Sequence, residues 1–283
     1  MLIAPVLWSL GGVLTRQVAA PNPLELAFWR GLFCALFVGA VLLGFGSGNP
    51  LAKIRGAGLA GLISGLMWGL MFTVFIVALT LTTVANVLVM CALGPLCTAL
   101  LAFAVLREPI PLPTWIAILA AAIGMGAMFG AGFTADEPRH IWGTLLALTI
   151  PVAAAINVVV LRKAGAHLDL MPAILLGAVL CMVASLPWAL PFSASARDLA
   201  WLATLGVLQV GLPCMLLVLA ARALSAPEIA LLGLLEVVLG PLWAWLGAGE
   251  VPGGATLAGG AIVLAALAGN EFALAKGIRV PLK

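Results

Sequence analysis

Residues 78–109 read ALTLTTVANVLVMCALGPLCTALLAFAVLREP, with no charged side chain before Arg107. About 20 consecutive apolar residues let a helix cross the roughly 30 Å hydrocarbon core of a bilayer. The same character extends over the chain, because 64% of its 283 residues are hydrophobic, only 8% are charged and the mean hydropathy is +1.26. A soluble domain of this size would need more charge on its surface. The composition therefore indicates an integral membrane protein.

Short polar breaks divide the sequence into ten apolar segments, which we number one to ten. They are residues 2–19, 25–45, 57–78, 84–105, 112–132, 141–161, 170–191, 199–221, 226–247 and 254–275. Lipid cannot satisfy backbone polar groups, and the alternating pattern of a barrel is absent, so the expected fold is all-α with ten transmembrane helices. The first segment lacks a basic start and a cleavage site, so we expect it to be retained.

The basic residues of the loops predict the orientation of the chain. Nine lie on the side of the two termini and three on the other side. The nine are Lys53, Arg55, Arg107, Arg162, Lys163, Arg222, Lys276, Arg279 and Lys283, and the three are Arg16, Arg139 and Arg197. By the positive-inside rule both termini are expected in the cytoplasm, in a multi-pass protein of the bacterial inner (cytoplasmic) membrane. A net charge of +3 without a basic run argues against nucleic acid as a partner.

The two halves of the chain, 1–135 and 136–283, resemble each other. A shift of 142 residues places residues 78–109 on the stretch that ends near residue 252 and superposes Glu108 on Glu250. Each half then holds five segments, and because five is odd the second half must enter the membrane upside down. Inverted repeats of this kind are common among secondary transporters, which hold their substrate near the midplane between the halves.

Short motifs at repeated places carry a resemblance to a known family. They are Gly94-Pro95, Leu106-Arg107-Glu108-Pro109, Leu235-Glu236, Gly249-Glu250 and Arg30. With these motifs the whole chain resembles the EamA branch of the drug/metabolite transporter superfamily, whose members export amino acids, metabolites or toxic compounds. Some close relatives export aromatic amino acids. The second half of the family usually carries Leu-Glu-Pro, but here Val237 follows the glutamate and the proline comes at Pro241, so we expect the kink of segment nine one turn later.

Two charged side chains inside the segments are candidates for a functional site, because charge at bilayer depth is costly. Glu236 lies near the middle of segment nine, where desolvation favours a neutral carboxyl. It is a candidate for proton coupling or for binding a substrate amine, or else it makes a hydrogen bond between helices. Arg30 in segment two either binds a substrate carboxylate or has a structural role, reaching the interface or pairing with Glu25.

Uncharged residues extend the candidate substrate-binding set. Its members are Trp8, Ser9, Trp68, Met71, Phe72, Asn86, Asn157, Gln209 and Glu236. The side-chain amides of Asn86, Asn157 and Gln209 either bind a zwitterionic substrate or form hydrogen bonds to the backbone of a neighbouring helix. The two tryptophans lie away from the interfaces, and a buried indole needs a partner for its N–H, so they line either a wet cavity or the packed core.

Catalytic and cofactor chemistry are not expected. Metal or nucleophilic chemistry needs clustered ligands or a base beside a nucleophile. His140 and His167 lie in loops on opposite faces, and the five cysteines sit inside segments without metal-type spacing. We therefore expect no enzyme activity, no cofactor, no metal site and no disulfide, with the cysteines packed as small hydrophobes.

Prolines and glycines indicate hinges and contacts. Prolines within segments four, eight and nine are expected to interrupt those helices, and Pro5 and Pro151 occupy equivalent places in segments one and six. Glycines at 61, 65 and 69 form a small-residue face on segment three that permits close helix contact. Those at 124, 126, 130 and 132 on segment five are candidates for contact with a second protomer.

Together these features favour a secondary transporter that exports small amphiphilic metabolites, most of all amino acids, by alternating access between two inverted halves. One alternative is a multidrug exporter or an exporter of cationic compounds, and another is a passive facilitator without ion coupling. A multiply anionic cargo would need more basic groups in the cavity than the chain supplies.

Overall fold

The structure is a computed structural model that describes most of the chain. The described residues are 1–15, 17–19, 22–44, 55–82, 84–107, 109–130, 137–165, 168–248 and 253–276. Several residues used above lie outside them. These are Arg16, Lys53, Glu108, Gly132, His167, Gly249, Glu250, Arg279 and Lys283.

Every element of the described chain is helical, and the helices follow the predicted segments. Segment one comprises Ile3–Ser9 and Gly11–Thr15, segment two Pro23–Gly44, segment three Gly58–Leu81, segment four Val84–Cys91 and Gly94–Leu106, and segment five Leu112–Phe129. Segment six is Pro138–Ala164, segment seven Met171–Ala189, and segment eight Ala196–Thr204, a π-helical stretch Leu205–Gly211 and Leu212–Ala220. Segment nine comprises Ala226–Gly233 and Leu235–Ala248, and segment ten is Gly254–Ala275.

Length and apolar composition support seven membrane crossings among the described residues, in segments two, three, four, six, seven, eight and ten. Segments one and five contain shorter apolar helices, Ile3–Thr15 and Leu112–Met128. Exposed Leu, Ile, Phe and Trp side chains cover much of the outer surface, as expected of a surface solvated by lipid rather than water. The chain is thus a multi-pass membrane protein, and the count of ten crossings stays a prediction.

The helix breaks of segments four and nine recur at one spacing. The ends of Val84–Cys91 map onto the ends of Ala226–Gly233 at the shift of 142 residues found in the sequence. The interruption at Ala92 corresponds in the same way to the one at Leu234. Similar breaks at matching positions indicate that the two halves of the chain share a backbone plan.

The packing of the segments repeats as well. Segments two and seven, four and nine, and five and ten pack against each other. The contact between segments two and eight is matched by the one between seven and three. In the same way, the contact between one and nine is matched by six and four, and the contact between one and eight by six and three. Adding or subtracting five from every segment number exchanges these pairs, so the two halves make equivalent contacts.

Small residues let segments three and seven approach closely, as the sequence predicted for this face of segment three. A Cβ atom added at Gly177 would lie 2.9 Å from the amide nitrogen of Gly69 and 3.1 Å from the carbonyl oxygen of Gly65. On segment five, Gly124 faces Gly259 of segment ten in the same chain. Its smallness therefore serves a contact within the chain rather than one with a second protomer.

The prolines act differently from the expectation in two segments. The helix of segment nine runs on through residue 241 and is interrupted earlier, at Leu234, so the expected interruption at this proline is not found. Pro151 lies inside the unbroken helix Pro138–Ala164. In segment eight the π-helical stretch directly precedes Pro213. Proline has no N–H for the carbonyl four residues earlier, which here belongs to Gln209, and this local loss favours a distorted helix.

Candidate functional site

Two of the predicted site residues take part in helix packing. Asn157 accepts a hydrogen bond from the hydroxyl of Ser64 at 2.6 Å, and both side chains are buried between segments three and six. The amide of Asn86 donates to the hydroxyl oxygens of Thr82 at 2.7 Å and Thr144 at 3.0 Å. The bond to Thr144 connects segments four and six. Both asparagines thus have side-chain partners where the sequence suggested backbone partners, and their part in substrate binding stays a prediction.

Glu236 lies in the first turn of Leu235–Ala248, directly after the break at Leu234. Its side chain is half-buried and lies close enough to Cys91 and Cys214 to interact electrostatically with both thiols. It forms no ion pair with any described residue. The break thus places a carboxyl group inside the helix bundle, and the described helices supply no cation to compensate it.

Arg30 of segment two also lies near Cys214. Its Nη2 atom donates to the backbone carbonyl of Phe72 at 3.4 Å, and its charge interacts with Cys34, Cys181 and Cys214. It does not pair with Glu25, which was one of the alternatives that the sequence left open for it. That carboxylate instead accepts hydrogen bonds at 2.7 to 2.8 Å from residues 193 and 194.

Cys214 lies near both charged side chains. Its thiol interacts electrostatically with Arg30 and with Glu236, and it lies within hydrogen-bonding reach of the side chain of Trp8. The thiol is buried, free and packed with other apolar groups, as the sequence predicted. A guanidinium from the first half and a carboxyl from the second half therefore both lie near one buried thiol.

Ser9 and Trp243 connect segments one and nine at this region. The indole N–H of Trp243 donates to the hydroxyl oxygen of Ser9 at 2.8 Å, and that hydroxyl donates to the carbonyl of Val6 at 2.6 Å. The sequence analysis overlooked Trp243. Its position seven residues after Glu236 gave the signal, since residues separated by two helical turns share a face.

Gln209 lies in the π-helical stretch of segment eight. Its Nε2 atom donates to the backbone carbonyl of Trp8 at 3.4 Å. Gly11 makes room for this amide, because a Cβ atom there would lie 2.9 Å from the same Nε2 atom. Single turns of π-helix occur often at functional sites. Gln209 is thus brought to segment one at the point where the helix of that segment is interrupted.

Aromatic and sulfur-containing side chains surround the charged groups. Trp68 is 4% exposed and stacks on Phe72, with ring centroids 5.5 Å apart. Met71 and Trp8 are half-buried and pack against the same cluster of buried residues. The structure therefore brings together seven of the nine predicted residues, together with Arg30, while the two asparagines bond to hydroxyl side chains of neighbouring helices.

Other sites are less suited to chemistry. Among the described residues no group of three or more His, Cys, Asp or Glu side chains could hold a metal ion. A cavity of about 280 Å³ lies between segments five and ten, and one of about 370 Å³ between segments four and six. Their linings are almost entirely apolar, so they lack the opposite charges found around Cys214.

Comparison with known proteins agrees with this arrangement. The sequence model of the EamA-like transporter family matches residues 1–130 and again residues 141–270. No curated protein matches the chain. A solved structure, described only as the "Crystal structure of protein", is similar with a TM-score of 0.79 at 19% identity, covering 98% of this chain and 96% of that chain. At this identity the likeness shows the shared fold.

Proposed function

The chain belongs to the EamA-like transporter family, and from this premise we propose that it is a secondary transporter that exports amino acids and similar small amphiphilic metabolites. The observation that carries the proposal is the pair Arg30 and Glu236. Each belongs to a different half, each lies inside the bundle, and neither forms an ion pair with a described residue. A zwitterion would supply the missing partner to both.

The mechanism we propose is alternating access between two inverted halves. The equivalent contacts made by segments that differ by five support an internal two-fold relation. An odd number of crossings in each half would place that axis in the plane of the membrane. The interruptions of segments one, four and nine lie around the charged region, where bending would expose it to one side at a time.

The nature of the cargo follows from charge and shape. A multiply anionic cargo would need a cluster of basic groups, whereas Arg30 is the one basic residue that the described part of the chain places in the central region. A simple organic cation would be repelled by the same guanidinium. The indoles and Phe72 offer apolar faces to a side chain. These features favour an amino acid, including one with an aromatic side chain.

We place the protein in the bacterial inner membrane with both termini in the cytoplasm. The support is the excess of basic residues in loops on the terminal side. Cysteine-accessibility labelling of single cysteines introduced at Arg139 and Arg222 tests it. Labelling of Arg139→Cys from outside and of Arg222→Cys only after permeabilisation is expected, and the reverse pattern would contradict the orientation.

Counterflow in proteoliposomes tests the proposed substrate class. Labelled amino acids should enter vesicles preloaded with unlabelled amino acid, with saturable kinetics. No saturable flux for any of the twenty amino acids would overturn the proposal. Saturable flux of organic cations instead would favour the drug-exporting alternative.

Proton coupling through Glu236 is a separate part of the proposal. An imposed pH gradient should drive uphill accumulation in the wild type and not in Glu236→Gln. Counterflow without a gradient should need a higher substrate concentration in this variant, because a neutral amide binds the substrate amine more weakly, but it should persist once substrate is saturating. Glu271→Gln is the matched control, because Glu271 is an exposed carboxyl of segment ten. Uphill transport unchanged in Glu236→Gln would exclude coupling through this residue, and no uphill transport in the wild type would indicate a passive facilitator.

A further inference from the structure

Two buried polar atoms near the charged pair have no hydrogen-bond partner among the described residues. They are the indole nitrogen of Trp68, which is a donor, and the Oε1 atom of Gln209, which is an acceptor. A buried polar group without a partner is costly, so native structures seldom leave one unexplained. The two atoms have opposite hydrogen-bonding character and lie on different halves of the chain.

The orientation of the Gln209 amide is fixed by its neighbour. The Nε2 atom lies 3.4 Å from the backbone carbonyl of Trp8, which only accepts hydrogen bonds. The oxygen of the amide is thereby left free to accept. The side chain of Trp8 is in reach of Cys214, whose thiol also interacts with Glu236. The second half thus presents two acceptors, an amide oxygen and a carboxylate, which are linked to each other through contacts with Trp8 and Cys214.

The donors lie together on the first half. Trp68 stacks on Phe72, and the backbone carbonyl of Phe72 accepts from Arg30. Because the nitrogen of an indole only donates, the Trp68 atom can be satisfied by an acceptor alone. The guanidinium adds a positive charge suited to a carboxylate. The first half thus presents two donors.

We propose that the site binds its substrate with a fixed polarity: Arg30 and Trp68 bind the α-carboxylate, and Glu236 and Gln209 bind the α-ammonium group. This inference rests on the proposed function and adds the direction in which the substrate lies between the halves. Each half then holds one end of the cargo. A molecule that lacks either end leaves two buried groups of one half unpaired, so analogues with one charged group bind more weakly than the amino acid.

Selective competition tests the assignment of the two ends. L-Phenylalanine is the labelled probe for counterflow, with 3-phenylpropionate as the competitor without an amino group and phenethylamine as the competitor without a carboxylate. In Trp68→Phe we expect inhibition by 3-phenylpropionate to weaken about tenfold, since a hydrogen bond to a charged group is lost, while inhibition by phenethylamine stays as in the wild type. In Gln209→Met we expect the reverse.

For each variant we take the ratio of the inhibition constants of 3-phenylpropionate and phenethylamine. Both constants come from the same preparation, so the ratio does not depend on the fraction of protein that folds. Trp142→Phe and Gln17→Met are matched controls, because Trp142 is 68% exposed and Gln17 lies on the exposed surface. The assignment would be overturned if a variant transports at the wild-type rate and its two inhibition constants change equally or not at all. That result would leave the proposed transport function standing. Absence of any amino acid counterflow in the wild type would overturn the proposed function and the assignment with it.

Discussion

Replacing Gly177 with alanine should separate segments three and seven. The added methyl group would lie 2.9 Å from the amide nitrogen of Gly69 and 3.1 Å from the carbonyl oxygen of Gly65, and it would also meet the Cβ atom of Trp68. Two of these atoms belong to the backbone and the third is the first atom of a side chain. None of them can rotate away, so relief requires movement of the helices.

The size of the effect follows from these distances. Non-bonded carbon atoms prefer a separation of roughly 3.5–4.0 Å, so the helices must move apart by about 0.5–1 Å along the contact. Overpacking of a well-packed interface costs about 1–3 kcal/mol, which lowers the midpoint of thermal unfolding by several degrees for a chain of this size. Trp68 moves with the contact, so the rate of amino acid counterflow should fall as well.

Thermal unfolding of the purified protein in detergent, followed by counterflow in proteoliposomes, measures both effects. Gly126→Ala is the matched control, because nothing lies within 4 Å of a Cβ atom at that position. It should leave stability unchanged or raise it, since alanine favours the helix over glycine. A Gly177→Ala protein that unfolds at the wild-type temperature with unchanged transport would refute the reasoning.

Three further substitutions separate packing from binding. Ser64→Ala leaves the carbonyl oxygen of Asn157 without its donor and should cost about 1–3 kcal/mol in thermal or denaturant unfolding, with the counterflow KM unchanged; an altered KM would contradict the structural role. Asn86→Leu should likewise lower stability and leave the inhibition constants of competing amino acids unchanged, and a tenfold change in those constants would indicate that Asn86 contacts the substrate. Ser9→Ala deprives the indole of Trp243 of its acceptor, so both stability and the counterflow rate should fall, whereas normal values for both would argue against a link between segments one and nine.

The helices were predictable because the requirement for them is local. Hydrophobic length and the need to satisfy the backbone in lipid determine where each segment lies, and most observed helices begin or end within a few residues of the predicted bounds. The interruption of segment nine was not predictable from the same rules. The sequence shows the proline at 241, whereas the break at Leu234 lies where the first half has its own break, at Ala92.

The roles of the polar residues were harder to predict because their partners are distant in sequence. Asn157 and Gln209 are both amides at bilayer depth, and nothing local distinguishes them. The first meets Ser64, 93 residues away, and is satisfied. The second uses one end of its amide on Trp8, 201 residues away, and leaves the other end free. Only the tertiary arrangement of the segments reveals this difference.

The likeness of the halves and the unlikeness of their polar residues fit a transporter of molecules with two different ends. At the shift of 142 residues Glu236 corresponds to Gly94. Nearer the start of each half a shift of 146 residues places Gly31 on Gly177, and there Arg30 corresponds to Leu176. Two halves with the same backbone can exchange their conformations. This exchange gives two arrangements of similar energy, as alternating access requires. Charges that do not repeat give the enclosed region one donor end and one acceptor end, which would select a zwitterion over an ion of a single sign.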